Sequence, residues 1–129
     1  MARRSGRDWE CIVGRALRGA GDLLALEESP LAEETSVQAR ARTRYPWRTL
    51  GAGLAVRDYL IDAATTIAED CGELRFGRFC VLYARGVPIA DIAKTLQMSR
   101  PHLSTCWRPK AVRLITAQLR SELHERTVA

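Results

Sequence analysis

The chain has 129 residues, 47% of them hydrophobic and 6% aromatic, and a net charge of +5. That length fits one domain with a modest core, and no apolar run approaches the ~18 residues of a membrane span. The opening MARRSGRDWE puts basic groups ahead of no apolar stretch, so no secretory signal is read there.

β-branched residues never cluster in alternating runs, so the expected fold is all-α. It has about six helices: a helical N-terminal core followed by a tri-helical helix-turn-helix unit. Residues 1–48 read as an N-terminal helix plus a basic linker or arm. Residues 49–129 read as a helical core holding the motif at 88–108, the whole making one compact domain.

Met1–Arg7 reads as a frayed basic tail, with Ser5 and Asp8 spaced as a capping box. Trp9, Ile12, Val13, Ala16, Leu17, Ala20 and Leu24 then recur at three and four, which predicts an amphipathic helix. Glycines at 14, 19 and 21 weaken it, and a break near Gly21 with a restart at Asp22 is expected. Ser29-Pro30 ends the segment, because a residue before proline is pushed out of the helical region.

Residues 32–48 show little apolar periodicity. Arg40, Arg42, Arg44 and Arg48 alternate with small or aromatic residues. Two readings stand open: a mobile linker, or a basic arm that settles on a phosphate backbone. Tyr45 and Trp47 could instead anchor the segment to the core.

Thr49 is the expected cap of a long helix to about Cys71. Its buried stripe is Leu50, Leu54, Ile61, Ala64, Ile67, Ala68 and Cys71, with Asp58, Asp62, Glu69 and Asp70 facing water. Gly72 is a good stop. Phe76, Phe79, Cys80 and Tyr83 mark the next helix, closed by Gly86. The Trp107-Arg108-Pro109 run predicts a kink or stop, then a helix from Pro109 to about Leu123 with Val112, Ile115 and Leu119 inward.

Residues 89–107, IADIAKTLQMSRPHLSTCW, say the most about function. Ile89, Ile92, Ala93 and Leu96 make one narrow apolar stripe, interrupted at Gln97-Met98-Ser99. Ser99 supplies an N-cap hydroxyl, and Pro101 fits the first turn of a new helix. Leu103 and Cys106 point that helix back at the first. Gln97 holds the turn position where glycine is usual, and needs either positive φ or a different turn.

That layout predicts duplex DNA binding. Ser99, Arg100, Pro101, Ser104, Thr105 and Arg108 are the expected contacts. Arg100 and Arg108 would read base edges or clamp phosphates, with Ser104 and Thr105 near the groove floor. Lys94, Lys110 and Arg113 would hold the flanking backbone. Charge placement agrees: residues 35–57 carry five arginines and no acid, and residues 92–129 carry seven basic and two acidic groups. Trp107 reads either as packed on a neighbouring helix, the favoured reading, or as lying over a deoxyribose; His102 reads as packed beside the first helix of the motif or as a phosphate contact.

The stretch from Phe79 to Leu119, carried by LYARGVPIADIAKTLQMSRPHLS, resembles region 4 of bacterial sigma factors and LuxR-like helix-turn-helix regulators. The resemblance implies a cytoplasmic, nucleoid-associated transcriptional regulator that binds double-stranded DNA, as a homodimer in most such readers. In that family the residues matching Ser99, Arg100, Ser104, Thr105 and Arg108 would contact DNA. The break at 107–109 departs from the usual uninterrupted helix. No segment resembles sigma region 2, so a complete sigma factor is not expected.

The rival reading is a protein-interaction module, since region-4-like domains also bind RNA polymerase subunits and anti-sigma partners; the stripe over 8–28 would then be a docking helix. A third is the regulatory end of a larger assembly. Enzyme activity is not expected, because nothing like GxSxG or GxxxxGK[ST] occurs. Neither His102 nor His124 has a partner at metal-ligand spacing, so no metal and no cofactor are expected. Cys11, Cys71, Cys80 and Cys106 read as buried free thiols.

Overall fold

A computed structural model describes residues 6–128, with side chains throughout except at position 7 and at 124–128. The Ser5 cap, most of the predicted tail and the His124 side chain therefore lie outside the described residues. Among those described, the protein is all-α, with no strand. Helix α1 spans Gly6–Arg18, α2 Leu23–Glu27, α3 Thr35–Arg44, α4 Gly51–Asp70, α5 Leu74–Ala84 and α6 Ile89–Leu96. Arg100–His102 (α7), a π turn at Leu103–Trp107 and Arg108–Val128 (α8) follow one another without a break. Counted as one, they bring the total to seven helices, close to the six expected.

The predicted break in the first amphipathic run occurs where glycine weakens it. Asp22 then caps α2, its carboxylate accepting the N–H groups of Leu24 and Ala25 at 3.1 and 3.4 Å. Ser29 is extended, as a residue before proline must be. The chain next makes a 3₁₀ turn at Pro30–Glu33 rather than a plain loop. Gly72 and Gly86 both take positive φ, at 70° and 87°, and end α4 and α5 as expected.

Residues 35–44 correct the reading of a mobile linker or free arm, because they form α3. Val37 and Ala41 are its buried anchors. Apolar spacing alone does not announce this helix, because only Val37 and Ala41 are buried, and two ion pairs add to that packing. Arg40 pairs with Asp62 at 3.0 Å, and Arg44 pairs with Asp58 at 3.0 Å. Each set is spaced by four, one turn apart on its own helix, so two antiparallel helices meet in register. The Arg40 guanidinium also lies 3.9 Å from the Tyr59 ring centre. Asp58 and Asp62 are therefore ion-pair partners rather than free solvated acids.

Helix α4 runs through the middle and meets α2, α3, α5 and α8. It buries Ala55, Val56, Tyr59, Leu60, Ala63, Ala64 and Ile67, a wider surface than the predicted stripe. Of that stripe Ala64 and Ile67 are buried, Leu50, Leu54, Ile61 and Ala68 are half-buried, and Cys71 is exposed. A helix contacted on several sides has no single apolar face to read. The cap is also corrected: Leu50 holds the position assigned to Thr49 and makes no side-chain cap bond.

One hydrophobic cluster runs from Val13 of α1 to Leu123 of α8. Helix α8 contributes Ala111, Ile115, Leu119 and Leu123, at every fourth residue. No helix among the described residues is long and apolar enough to cross a membrane.

Candidate nucleic-acid interface

The helix-turn-helix starts at α6, which buries Ile92, Ala93 and Leu96 and leaves Lys94 exposed. Gln97 ends it in the left-handed region, with φ 55° and ψ 49°. The chain thus makes the usual tight turn without a glycine. The backbone N–H of Met98 closes it onto the Ala93 carbonyl at 3.0 Å. Ser99 caps the next helix, its hydroxyl accepting the His102 N–H at 3.2 Å.

Sequence reasoning missed Arg75. This α5 side chain donates to the Leu96 carbonyl and, at 3.5 Å, to the Gln97 carbonyl. It satisfies orphan acceptors at the end of α6 and ties the turn to α5. A sequence signal for it is hard to name, because the two partners lie more than twenty residues apart.

The second helix stands on two anchors. Leu103 is fully buried. Trp107 is half-buried, edge-on to Phe76 and Phe79 with ring centres 5.5 and 5.9 Å away. Such pairs contribute about 0.5–1.5 kcal/mol each beyond area burial. The expected packing of Trp107 on a neighbouring helix is therefore what the fold contains. His102 is exposed, its ring 5.8 Å from that of Trp107, rather than packed away beside α6 as expected.

No family model, no curated protein and no solved structure matches this chain.

Ser99, Arg100, Pro101 and Thr105 are exposed on this helix, and Ser104 is half-buried. The Thr105 hydroxyl donates to the Pro101 carbonyl at 2.8 Å, which leaves its lone pairs to accept. Lys110 and Arg113 are exposed on α8, with the Lys110 ammonium 4.5 Å from the Phe76 ring centre. Two expectations change. Cys106 is exposed and does not point back at α6. Arg108 is half-buried and lines a cleft with Leu17, Arg18 and Tyr83.

The π turn explains Arg108. Pro109 has no N–H to offer the Thr105 carbonyl, and in a regular α turn its ring would press against that carbonyl. The chain widens instead, and the Arg108 N–H donates to the Leu103 carbonyl five residues back. Arg108 is thereby half-buried and turned toward the cleft beside Tyr83. The predicted stop at Trp107–Arg108 is a wide turn within a continuing helix.

Of the arm residues, Arg40 and Arg44 are held by Asp62 and Asp58, whereas Arg42 and Arg48 are exposed. Tyr45 is anchored, its hydroxyl donating to Asp58 at 2.5 Å; that bond, with burial behind it, pushes the phenol pKa up. Trp47 is 95% exposed and anchors nothing. The thiols are also corrected: Cys80 alone is buried, and Cys11, Cys71 and Cys106 are exposed. Among the described residues no group of three or more metal-ligating side chains occurs.

Proposed function

We propose that this protein binds double-stranded DNA through the exposed start of its second motif helix and acts as a transcriptional regulator. The observation that carries the reading is the Ser99-capped segment. Arg100, Pro101, His102 and Thr105 all face solvent, while Leu103 and Trp107 fix the helix to the core from the opposite side. A rigid, projecting helix with a guanidinium and a hydroxyl suits a major groove, which is wide enough to admit it. Arg100 takes the base-reading role, and Lys94, Lys110 and Arg113 take phosphates. Arg108 is removed from the reading set. The resemblance to sigma region 4 and LuxR-like regulators supports the same assignment, including a bacterial, nucleoid-associated setting and a dimer on paired half-sites.

The test is fluorescence anisotropy with duplex DNA selected from a random pool. Arg100→Ala should weaken binding about tenfold, as loss of one base-edge contact does. Its melting temperature should match wild type. Affinity should fall steeply with salt as released counterions are counted. Unchanged affinity in the variant, or a flat salt dependence, would sink the reading.

A second reading has one observation in its favour. Trp47 and Leu74 are 95% and 83% exposed, and large apolar groups so placed suit a protein partner such as a polymerase subunit. A protein that selects no sequence from the random pool would favour it.

A further inference from the structure

An open groove of about 460 Å³ runs between α3 and α4. Thr35 and Ser36 line one end, Arg40 over the Tyr59 ring lines the middle, and Arg44 lines the other end. Among the described residues no carboxylate lines it. Past Arg44 the chain turns at Tyr45-Pro46-Trp47-Arg48, and the Arg48 N–H closes the turn on the Tyr45 carbonyl at 3.2 Å. Pro46 fixes φ at the second position of that turn. The base of the turn is held twice. The Tyr45 hydroxyl donates to Asp58, and a Cβ at Gly51 would lie 3.0 Å from the Tyr45 carbonyl oxygen, so the turn sits directly on α4. Trp47 thus stands on a rigid support, yet it is almost fully exposed. Tryptophan is seldom left so bare in a free protein.

Charge indicates what covers it. The Arg40–Asp62 and Arg44–Asp58 pairs cancel. Arg42 and Arg48 are exposed and have no ion-pair partner among the described residues, which leaves two positive charges beside the ring. Arg48 adjoins Trp47 in the turn. Arg42 lies three residues from Ala39, a groove residue, and so stands on the groove's rim. An apolar ring alone suits a protein partner equally. Set among guanidinium groups, it suits a strand that offers a π-face and a phosphate at each step. A duplex keeps its base faces stacked inside, so the strand is single.

We propose that Trp47 and this groove bind single-stranded DNA. One base stacks on the indole, and the phosphates lie along Arg42, Arg44 and Arg48. The hydroxyls of Thr35 and Ser36 supply hydrogen bonds to the backbone further along the groove. The choice of DNA over RNA rests on the duplex reading; the stacking site itself does not. The surface is distinct from the Ser99-capped helix, so the two readings fail independently.

The experiment titrates the full chain with oligodeoxythymidylate of about twelve nucleotides, within the usual span of a single-strand site. Anisotropy of the labelled strand gives affinity, and quenching of tryptophan emission reports stacking. The wild type should bind with quenching. Trp47→Ala should weaken binding about tenfold and lose most of the quenching at an unchanged melting temperature, whereas Trp47→Phe should keep most of the affinity. Arg42→Ala combined with Arg48→Ala should reduce the salt slope by about 1.4, the value for two phosphates of a single strand. Arg100→Ala should bind the strand as wild type does, and Trp47→Ala should keep wild-type affinity for the selected duplex. A chain that binds duplex but not the strand refutes this site and leaves the motif standing. The proposal is overturned by absence of binding at low salt, by wild-type affinity in Trp47→Ala, or by equal binding of an abasic strand of the same length. Equal binding and quenching with polyglutamate would point to an acidic protein instead, and tighter binding of oligouridylate to RNA; either overturns it as well.

Discussion

The Glu27 carboxylate of α2 accepts the backbone N–H of Gly53, in the first turn of α4, at 2.6 Å. It does for α4 what the Leu50 cap cannot, satisfying an orphan donor and placing negative charge at the positive end of the helix. Close approach makes the bond feasible, because a Cβ at Gly53 would lie 2.5 Å from the Leu23 carbonyl oxygen. Glu27→Ala should cost about 1–3 kcal/mol in urea unfolding, with Glu27→Gln in between because it keeps an acceptor. Gly53→Ala should cost at least as much, since backbone rather than a flexible side chain must move.

Arg75 is the corresponding device at the motif turn. Its bonds to the Leu96 and Gln97 carbonyls hold the end of α6 against α5. Arg75→Ala should lower stability by about 1–3 kcal/mol and speed hydrogen exchange at the amides of Gln97 and Met98. Arg75→Lys should recover part of the loss, because a single ammonium cannot reproduce the fork. Exchange unchanged at those two amides would show that the turn holds itself.

Cys80 separates from the other three cysteines by burial. It is fully buried, and its pKa is pushed up to about 12, chiefly by desolvation. Cys11, Cys71 and Cys106 are exposed. A thiol reagent should modify three thiols quickly in the native protein and the fourth only on unfolding. The unfolded chain releases the Cys80 proton near pH 9, and the folded chain holds it to about pH 12. Stability from this group is thus complete below pH 9 and declines as pH rises toward 12. The slope approaches about 1.4 kcal/mol per pH unit at most. Tyr83, also raised by burial, acts in the same direction at alkaline pH. Cys80→Ala should flatten the alkaline limb of a urea-midpoint profile; an unchanged limb would count against this account.

What the sequence disclosed divides along physical lines. Local chemistry was legible. The Ser99 hydroxyl cap, the glycine stops at 72 and 86 and the restart at Asp22 each depend on a residue and its immediate neighbours. Features set at long range were not. Helix α3 pairs with acids of α4 fourteen and twenty-two residues away, a match visible only when the 40/44 and 58/62 spacings are laid side by side. Arg108 was misplaced because counting along a regular helix points it outward, whereas the π turn forced by Pro109 adds a residue to the turn and rotates it in. The stripe of α4 failed because burial on several sides erases the contrast that a periodic pattern needs.

Gln97 gives the last test, because here the chain takes a conformation that its residue disfavours. It is the one non-glycine with positive φ among the described residues. Left-handed backbone costs an L-residue roughly 1–2 kcal/mol through its Cβ, and glycine avoids that cost. Glycine also raises the entropy of the unfolded chain, which takes back about 0.4–1 kcal/mol. Gln97→Gly should therefore raise stability by about 0.5–1 kcal/mol, read as a higher urea midpoint at unchanged slope. Gln97→Val should lower it, since a β-branched side chain tolerates this region least. If the DNA assignment is right, the glycine variant should bind the selected duplex as wild type does, because the turn geometry it adopts is the one already present. A glycine variant that loses stability would show that the Gln97 side chain, rather than its backbone alone, supports the turn.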